Sequence, residues 1–387
     1  MQLNYTPEQQ SFRSEVRRWM EANVPKKPLV TLECREGYDQ HVAWEQTLAS
    51  GNWGMVTWPE IYGGRGLDLI QWLIFEEEYF RAGAPNRANQ NGIFLLGPTI
   101  MEFGTEEQKA RFLTPMANGE VIWAQAWSEP GAGSDMAAIT SKAVRDGDHY
   151  IITGQKTWSS RAAFADWGFG IFRTDPESKR HKGLTFILFD INSPGITRRP
   201  IRQLHGDTGF AELFFDEVRV PVENCLAGEG EGWNVAMATA GFERGLMLRS
   251  PGRFQATAKR LVEIYRTHEA DASPAAREAV TLAWMAAQAY AYNTYSVAAK
   301  IMAGGKIGAE ASLNKIFWSE LDRSMHRTAM QLMGAAAELK HLDDGSVNQW
   351  LEGYMFSLSG PIYAGSNEVQ RNITAERLLG LPRVGAG

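Results

Sequence analysis

Two segments of the chain combine backbone and side-chain groups that could bind a polar, planar ligand. The first reads Trp-Ser-Glu-Pro-Gly-Ala-Gly-Ser-Asp over residues 127–135, and the second reads Gly-Gln-Lys-Thr-Trp-Ser-Ser over residues 154–160. Glycines let backbone N–H groups approach a ligand closely, and Ser128 and Ser134 add hydroxyl groups. In the second segment, the indole of Trp158 could stack on a planar ligand while a serine hydroxyl reaches its edge. For each segment taken alone, an ordinary glycine-rich turn or a core tryptophan is the alternative.

In this order and at this spacing, the two segments resemble the flavin-binding signature of the acyl-CoA dehydrogenase family. Other matching pieces follow the family's order over essentially the whole chain: Trp58-Pro59, Gly-Gly-Arg-Gly at 63–66, Phe-Phe-Asp-Glu-Val-Arg-Val-Pro at 214–221, and Tyr-Ala-Gly-Ser-Asn-Glu-Val-Gln-Arg at 363–371. The resemblance implies an FAD-dependent enzyme that removes two hydrogens from the α- and β-carbons of an acyl-CoA thioester.

Composition excludes several other classes of protein. The 387 residues are 44% hydrophobic and 22% charged, with a net charge of −6 that argues against a nucleic-acid surface. Two cysteines and seven histidines offer neither a disulfide framework nor metal-ligand spacing. The first residues lack a secretory signal pattern, and no apolar run approaches the ~20 residues of a membrane-spanning helix. We therefore expect a soluble, cytoplasmic protein without a membrane span.

The pattern of elements divides the chain into three predicted domains. Helical periodicity dominates residues 1–120, short apolar or alternating runs between turns dominate 121–226, and helical periodicity returns over 227–387. We predict an α+β multidomain fold: an N-terminal helical domain, a middle β domain of packed sheets or a small barrel, and a C-terminal four-helix bundle. The resemblance implies the same architecture, with the flavin between the β domain and the bundle.

Local signals place most of the helices. Thr6, Pro7 and Gln9 form a helix start, and Pro274 after Ser273 forms another. Pro251 should kink or divide the helix in which it lies. The predicted helices run over 6–22, 41–48, 67–82, 105–116, 236–266, 274–302, 308–334 and 348–358. Residues 82–97 are small and polar, and could line a substrate pocket or form a solvated loop.

The resemblance assigns a catalytic base, and the sequence departs from the usual position. Many family members use the glutamate of a Tyr-Glu-Gly-Thr motif, which here reads Tyr-Ala-Gly-Ser at 363–366. Alanine cannot accept a proton, although the Ala364 backbone N–H could still help to hold the thioester carbonyl. A minority of the family carries the base as a glutamate directly before an arginine on a neighbouring helix, and Glu243-Arg244 matches that pattern. Glu243 is therefore the predicted base, and a surface Glu-Arg pair is the alternative.

The resemblance also assigns the binding residues. Trp127, Ser128, Trp158 and Ser160 are expected around the flavin ring, and Ser366 and Glu368 near its adenine half. Gln331 and Gly334 are expected to contribute from an adjacent subunit. Arg277 could replace a pyrophosphate-binding arginine whose usual Arg-x-Phe-Gly context is absent here. The expected substrate-binding residues are Ser134, Arg244, Ala364 and Gly365.

Three functional hypotheses follow. The first is an acyl-CoA dehydrogenase, assembled as a homotetramer or with a related chain as a heterotetramer, that passes electrons to an electron-transfer flavoprotein. In the second, this chain is one subunit of a heteromeric dehydrogenase and is active only with its partner. The third is a flavin oxidase or monooxygenase on the same fold. Acyl chain length, branching and ring content cannot be read from the sequence.

Overall fold

A computed structural model describes residues 4–244, 250–270, 272–342 and 346–382, without the side chains of residues 243 and 244. The chain forms two compact units. One contains Met1–Val24, Asp68–Ala84 and Arg244–Gly387, and the other contains Pro25–Leu67 and Pro85–Glu243. We call them the helical unit and the sheet unit. The predicted domain boundaries at residues 120 and 226 stay predictions.

Helices account for most of the described chain outside the sheet. Thr6, Asp68 and Thr105 each form a capping box with a glutamine three residues later, which satisfies two backbone N–H groups at the start of each helix. The helices are α1 Pro7–Asn23, α2 Arg35–Ser50, α3 Leu69–Arg81, α4 Gly97–Phe103, α5 Glu106–Ala117, α6 Gly232–Arg244, α7 Pro251–Thr267, α8 Pro274–Met302, α9 Glu310–Met333, α10 Gln349–Ser357 and α11 Asn367–Ile373. Among the described helices, none is both long and apolar enough to cross a membrane.

The sheet unit contains one sheet in which eight described strands pair. The strands are β1 Trp123–Ala126, β2 Lys142–Asp146, β3 His149–Ser160, β4 Trp167–Arg173, β5 Leu184–Asp190, β6 Ile196–Ile201, β7 Phe210–Pro221 and β8 Cys225–Leu226. Their order is β6-β7-β3-β2-β4-β5-β8, and β1 pairs with β4 in parallel. Large aromatic side chains fill its core, including Phe172, Phe189 and Phe215, whose rings meet edge to face. The predicted middle β region is confirmed.

Pro251 divides the helix predicted over 236–266. It occupies the first turn of α7, where its missing N–H would have no intrahelical acceptor in any case. The hydroxyl of Ser250 caps this helix by accepting a hydrogen bond from the backbone N–H of Gly252 at 3.2 Å. The predicted break is therefore correct, and the proline begins the second helix.

The segment 82–97 matches the expected solvated loop only in part: Asn86 is exposed outside any helix, whereas Asn89 fits neither alternative. Asn89 is fully buried, and its side-chain amide donates to the carbonyl oxygens of Met116 and Val121 at 3.1 and 3.0 Å. Its side-chain oxygen accepts a bond from the Trp123 N–H at 3.0 Å. Residues 92–96 form a buried π-helical turn. Asn89 therefore joins α5 to β1 and is neither a solvated residue nor a free pocket-lining group, because all its polar atoms are used.

A cluster of ion pairs and a close backbone contact hold α1, α3 and α7 together in the helical unit. Glu78 has a fully buried side chain, and it pairs with the guanidinium groups of Arg13, Arg17 and Arg81 at 3.1, 2.8 and 2.7 Å. Burial alone would raise its pKa, but the hydrogen bonds from Arg17 and Arg81 lower the pKa below its ordinary value. On the other side of α3, Gly252 packs directly on the backbone of residues 76 and 77.

Replacing Gly252 with alanine should destabilise this helix crossing. A Cβ there would lie 2.8 Å from the Glu76 carbonyl oxygen and 3.0 Å from the Glu77 Cα, and neither backbone atom can rotate away. We expect a loss of ~1–3 kcal/mol in the free energy of unfolding, measured by urea titration. Gly241→Ala on α6 is the control, since a Cβ there meets nothing within 4 Å. Equal stability of the two variants would contradict the proposed close packing.

Candidate functional site

The two ligand-binding segments predicted from the sequence lie side by side in the sheet unit. The Thr157 backbone N–H donates to the Ser128 carbonyl oxygen at 2.8 Å. The Lys156 ammonium donates to the carbonyl oxygen of Trp127 at 3.2 Å. The structure thus brings Trp127 and Ser128, at the end of β1, next to the last residues of β3.

A buried ion pair between Lys156 and Glu129 stabilises the contact between these two segments. Lys156 is fully buried on β3, and its ammonium donates to a carboxylate oxygen of Glu129 at 2.8 Å and to the Ile171 carbonyl oxygen at 2.7 Å. Glu129 also accepts bonds from the backbone N–H groups of Thr140 and Ser141 at 2.8 and 3.0 Å. The carboxylate therefore joins the glycine-rich segment to the start of β2.

The pKa values of this pair reflect burial and mutual attraction. Burial would raise the pKa of Glu129, but Lys156 and the hydrogen bonds from residues 140 and 141 hold it at about 2. Burial is the main influence on the Lys156 ammonium and lowers its pKa to about 8. Near neutral pH the Glu129 carboxylate is therefore ionised.

Two features of this surface fit a planar, polar ligand. Trp158 is 59% exposed and has a φ of 55°, so the backbone holds a large aromatic ring outward in a conformation that non-glycine residues seldom adopt. Its ring meets that of Phe210 edge to face. The indole Nε1 of Trp127 is buried and has no acceptor among the described residues. Both suit a heteroaromatic ring such as a flavin. Such a ring can stack on the exposed indole of Trp158, and its ring atoms can accept a hydrogen bond from the Trp127 N–H.

The remaining candidates in the sheet unit are less constrained. Ser160 is half-buried, and its carbonyl oxygen accepts a bond from the Asn91 side chain at 3.3 Å. Ser134 is exposed on the glycine-rich segment, beside an ion pair between Asp135 and Arg180 at 3.1 Å. The predicted base Glu243 and its neighbour Arg244 end α6, and their side chains lie outside the described part of the structure. Their roles stay predictions.

In the helical unit, one tight turn carries four of the predicted residues. Ala364 and Gly365 both have positive φ angles, of 56° and 79°. Ser366 is the N-cap of α11, and its hydroxyl accepts a bond from the Val369 N–H at 3.4 Å. Glu368 is exposed in the first turn of α11, and its own backbone N–H, together with the Ser366 hydroxyl, lowers its pKa.

One end of the α8–α9 pair carries three more predicted residues, Arg277, Gln331 and Gly334. Helices α8 and α9 are antiparallel, as shown by contacts between residues 300 and 310 at 3.4 Å and between residues 293 and 314 at 2.9 Å. Going back along α8 therefore means going forward along α9. By this pairing, Arg277 of α8 lies near the level of residue 330 of α9. Arg277 is exposed in the first turn of α8 and makes no ion pair with a described residue.

The end of the α8–α9 pair that carries Arg277 and Gln331 is distant from the 364–368 turn. The turn is attached near the start of α9, where the Lys315 ammonium donates to the Asn367 side chain at 2.8 Å. Asn367 also donates to Glu320 of α9 at 2.9 Å, so Gln331 lies 11 to 16 residues beyond these contacts, or ~17–24 Å at 1.5 Å per residue. The structure therefore separates the predicted cofactor-binding residues of this unit into two groups.

Sequence reasoning missed the buried groups that support the site, namely Glu129, Lys156, Lys315, Asn367 and Gln370. For Lys156 a signal existed, because it follows Tyr150 and Ile152 in the inward-facing phase of β3. A lysine in that phase must find partners for its charge in the core. For Asn367 and Gln370, no local pattern distinguishes a buried amide from an exposed one.

Comparisons with known proteins show the family of the chain. Three family models match the chain: "Acyl-CoA dehydrogenase, N-terminal domain" over residues 6–120, the middle domain over 124–218 and the C-terminal domain over 230–379. The curated protein "Acyl-CoA dehydrogenase IpdE1" of Mycobacterium tuberculosis is 37% identical, covering 98% of this chain and 99% of its own length. "Acyl-CoA dehydrogenase FadE26" of the same organism is 31% identical, covering 99% of both chains.

Two solved structures are also similar. A chain of "Tcur3481-Tcur3483 steroid ACAD" has a TM-score of 0.87 and 27% identity, covering 99% of this chain and 100% of its own length. A chain of the "ChsE4-ChsE5 complex from Mycobacterium tuberculosis" has a TM-score of 0.86 and 30% identity, covering 100% of both chains.

Breaking the buried pair should destabilise the sheet unit. Glu129→Gln leaves the Lys156 ammonium buried without a counter-charge, and we expect a loss of ~3–5 kcal/mol in the free energy of unfolding at neutral pH. Because its folded pKa of about 2 lies below its ordinary value of 4.5, Glu129 stabilises the fold above about pH 4.5, and this contribution is lost as the pH falls toward 2. The difference between wild type and variant should therefore shrink in acid.

A double variant is the control. Glu129→Gln combined with Lys156→Met removes both charges, so it should cost less than Glu129→Gln alone. Urea unfolding at several pH values measures all three proteins. A single variant as stable as wild type, or a difference that grows in acid, would contradict the role assigned to the pair.

Proposed function

This chain belongs to the acyl-CoA dehydrogenase family, whose members are FAD flavoproteins, and we propose that it catalyses the FAD-dependent α,β-dehydrogenation of an acyl-CoA thioester. The observation that carries this proposal is the surface of the sheet unit. There the Ser128 segment is bonded to β3, Trp158 is exposed at a positive φ, and the buried Trp127 N–H lacks an acceptor among the described residues. Trp127, Ser128, Trp158 and Ser160 would hold the flavin ring.

Glu243 is proposed to remove the α-proton of the thioester. Bound FAD supplies the acceptor for the hydride that leaves the β-carbon. An ordinary glutamate, with a pKa of ~4.3, is a weak base for so weak a carbon acid. Substrate binding must therefore desolvate the carboxylate, while hydrogen bonds to the carbonyl oxygen stabilise the negative charge that develops there. The Ala364 N–H is one such donor, and Ser134, Arg244 and Gly365 would complete the substrate contacts.

A second chain is proposed to complete the cofactor site. Gln331 lies ~17–24 Å along α9 from the residues that hold the turn carrying Ser366 and Glu368, and Gly334 follows Gln331 as the C-cap of that helix. Arg277 lies at about the same level on α8. The two groups would therefore contact different flavins, with Arg277, Gln331 and Gly334 reaching the flavin of an adjacent subunit. The similarity to the ChsE4-ChsE5 and Tcur3481-Tcur3483 complexes supports a related partner chain in a heterotetramer, rather than a homotetramer.

The same similarity suggests the class of substrate. One of these complexes is described as a steroid ACAD, and its chain matches this one along its full length. We therefore favour a ring-bearing, steroid-derived acyl-CoA thioester over straight or branched chains. Electrons would pass from the reduced flavin to an electron-transfer flavoprotein.

The first test is an absorbance spectrum of the protein, purified alone and with a co-expressed related chain. Short, branched, long and ring-bearing acyl-CoA thioesters are then added in turn without oxygen. We expect flavin absorbance that is bleached most rapidly by the ring-bearing thioester. Flavin that no thioester bleaches would contradict the proposed reaction, and rapid reoxidation by air would instead favour a flavin oxidase.

The base assignment has a separate test. Glu243→Gln should keep the flavin but slow its reduction by substrate at least ~100-fold, because an amide cannot accept the α-proton. Glu102→Gln, which changes an exposed glutamate of α4, should reduce at the wild-type rate. Stopped-flow absorbance under anaerobic conditions measures both, and wild-type reduction by Glu243→Gln would require another base.

A further inference from the structure

The turn that carries Ala364 is held in an unfavourable backbone conformation. Ala364 has a φ of 56°, in the left-handed region where a Cβ crowds the backbone, and Gly365 follows with a φ of 79°. For a residue with a side chain this conformation is strained. It persists only where surrounding contacts determine it.

One buried side chain makes those contacts. Gln370 on α11 is fully buried, and its Nε2 donates to the carbonyl oxygens of Ala364 and Gly365 at 3.1 and 3.3 Å. Because both partners are acceptors, the orientation of the amide is fixed. Its Oε1 is buried without a partner among the described residues, which is itself unfavourable. An apolar side chain would avoid that cost, so the presence of glutamine here is explained by its two bonds to the turn.

The ends of the turn are fixed independently of Gln370. The Asn367 N–H donates to the Pro361 carbonyl oxygen at 2.8 Å, which closes the turn. Asn367 is fully buried, and its side chain accepts a bond from Lys315 at 2.8 Å and donates one to Glu320 at 2.9 Å. Lys315 and Glu320 both belong to α9, so the turn is attached to that helix. Gln370 is thus left to determine only the middle of the turn.

This arrangement leaves backbone donors available. In a planar trans peptide, the C=O and the next N–H point in opposite directions. Since Gln370 binds the carbonyls of Ala364 and Gly365, the N–H groups of Gly365 and Ser366 point away from it. The Ala364 N–H belongs to the preceding peptide, and the Ala364 φ of 56° sets its direction relative to the carbonyls that Gln370 holds. Within the described part of the chain, the N–H groups of Ala364, Gly365 and Ser366 have no acceptor.

We propose that Gln370 is a positioning residue for the substrate: by holding Ala364 and Gly365 in the left-handed conformation, it presents the Ala364 N–H to the carbonyl oxygen of the thioester. This inference rests on the proposed function. Gln370 itself does not touch the reacting atoms. Since Ala364 supplies no carboxylate, the geometry of its backbone is what this turn contributes to the reaction.

The test measures the hydrogen bond directly. The probe is the enoyl-CoA product of whichever thioester bleaches the flavin, labelled with ¹³C at its carbonyl. A hydrogen bond to the carbonyl oxygen lowers its infrared stretching frequency. We expect a smaller lowering in Gln370→Leu than in wild type, flavin reduction ~10–100-fold slower at saturating thioester, and an unchanged flavin content. Gln288→Leu is the control, because it loses only a bond from Gln255 between α7 and α8.

Gln370→Glu provides a second, isosteric test if the leucine variant does not fold. An ionised carboxylate cannot donate to either carbonyl, whereas a protonated carboxyl can donate to one. Burial beside two carbonyl oxygens raises the pKa of such a carboxyl, so the lowered frequency should be partly kept at about pH 5 and lost only as the pH rises toward about 10. A merely structural glutamine would give no such pH dependence of the bound carbonyl.

The outcomes separate this inference from the proposed function. If the wild-type protein carries flavin but no thioester reduces it, the proposed function and this inference fail together. If wild type is reduced and both Gln370 variants keep the wild-type carbonyl frequency, only the positioning role is overturned. A lost shift in both variants, with flavin retained, supports it.

Discussion

The sheet unit depends on the hydrogen bonds of one buried ammonium group, that of Lys156. The Lys156 ammonium is fully buried, and its three oxygen partners are the Trp127 carbonyl and the Glu129 carboxylate of the glycine-rich segment 127–135 and the Ile171 carbonyl of β4. A buried charge is tolerated only while such partners are in place. The position of the glycine-rich segment is therefore coupled to the stability of the core. A loop of small residues, which would otherwise be mobile, acquires one conformation.

The helical unit uses the same device with a neutral group. Gln370 fixes two carbonyl oxygens of the 364–365 turn, just as Lys156 fixes the Trp127 carbonyl oxygen of the glycine-rich segment. In both places a buried polar side chain orients a strained or glycine-rich backbone, and that backbone carries the binding groups. The cost of burying the supporting side chain is offset by hydrogen bonds to the segment that it orients. Binding groups of this kind are mainly peptide N–H and C=O groups, which every sequence contains.

This explains what the sequence could and could not predict. Helix starts such as Thr6 and Ser273 depend on residues a few positions apart, and the structure confirms them. The break at Pro251 is equally local. Asn89, in contrast, was assigned to a pocket or a solvated loop because its three backbone partners lie 27 to 34 residues away. The supporting contacts of Lys156 and Asn367 are likewise long-range, so motifs located the candidate binding segments but not the side chains that hold them.

Ala364 shows how a substitution can separate two roles of one residue. In the motif that the sequence resembles, one glutamate offers both a carboxylate and a backbone N–H. Alanine keeps only the N–H, and it holds that N–H in a backbone with a positive φ. Glycine would adopt that φ at less cost, but alanine restricts the backbone to fewer conformations. With the base placed elsewhere, as we propose for Glu243, the turn has only to keep its donor in place. A stiff residue held by Gln370 meets that requirement.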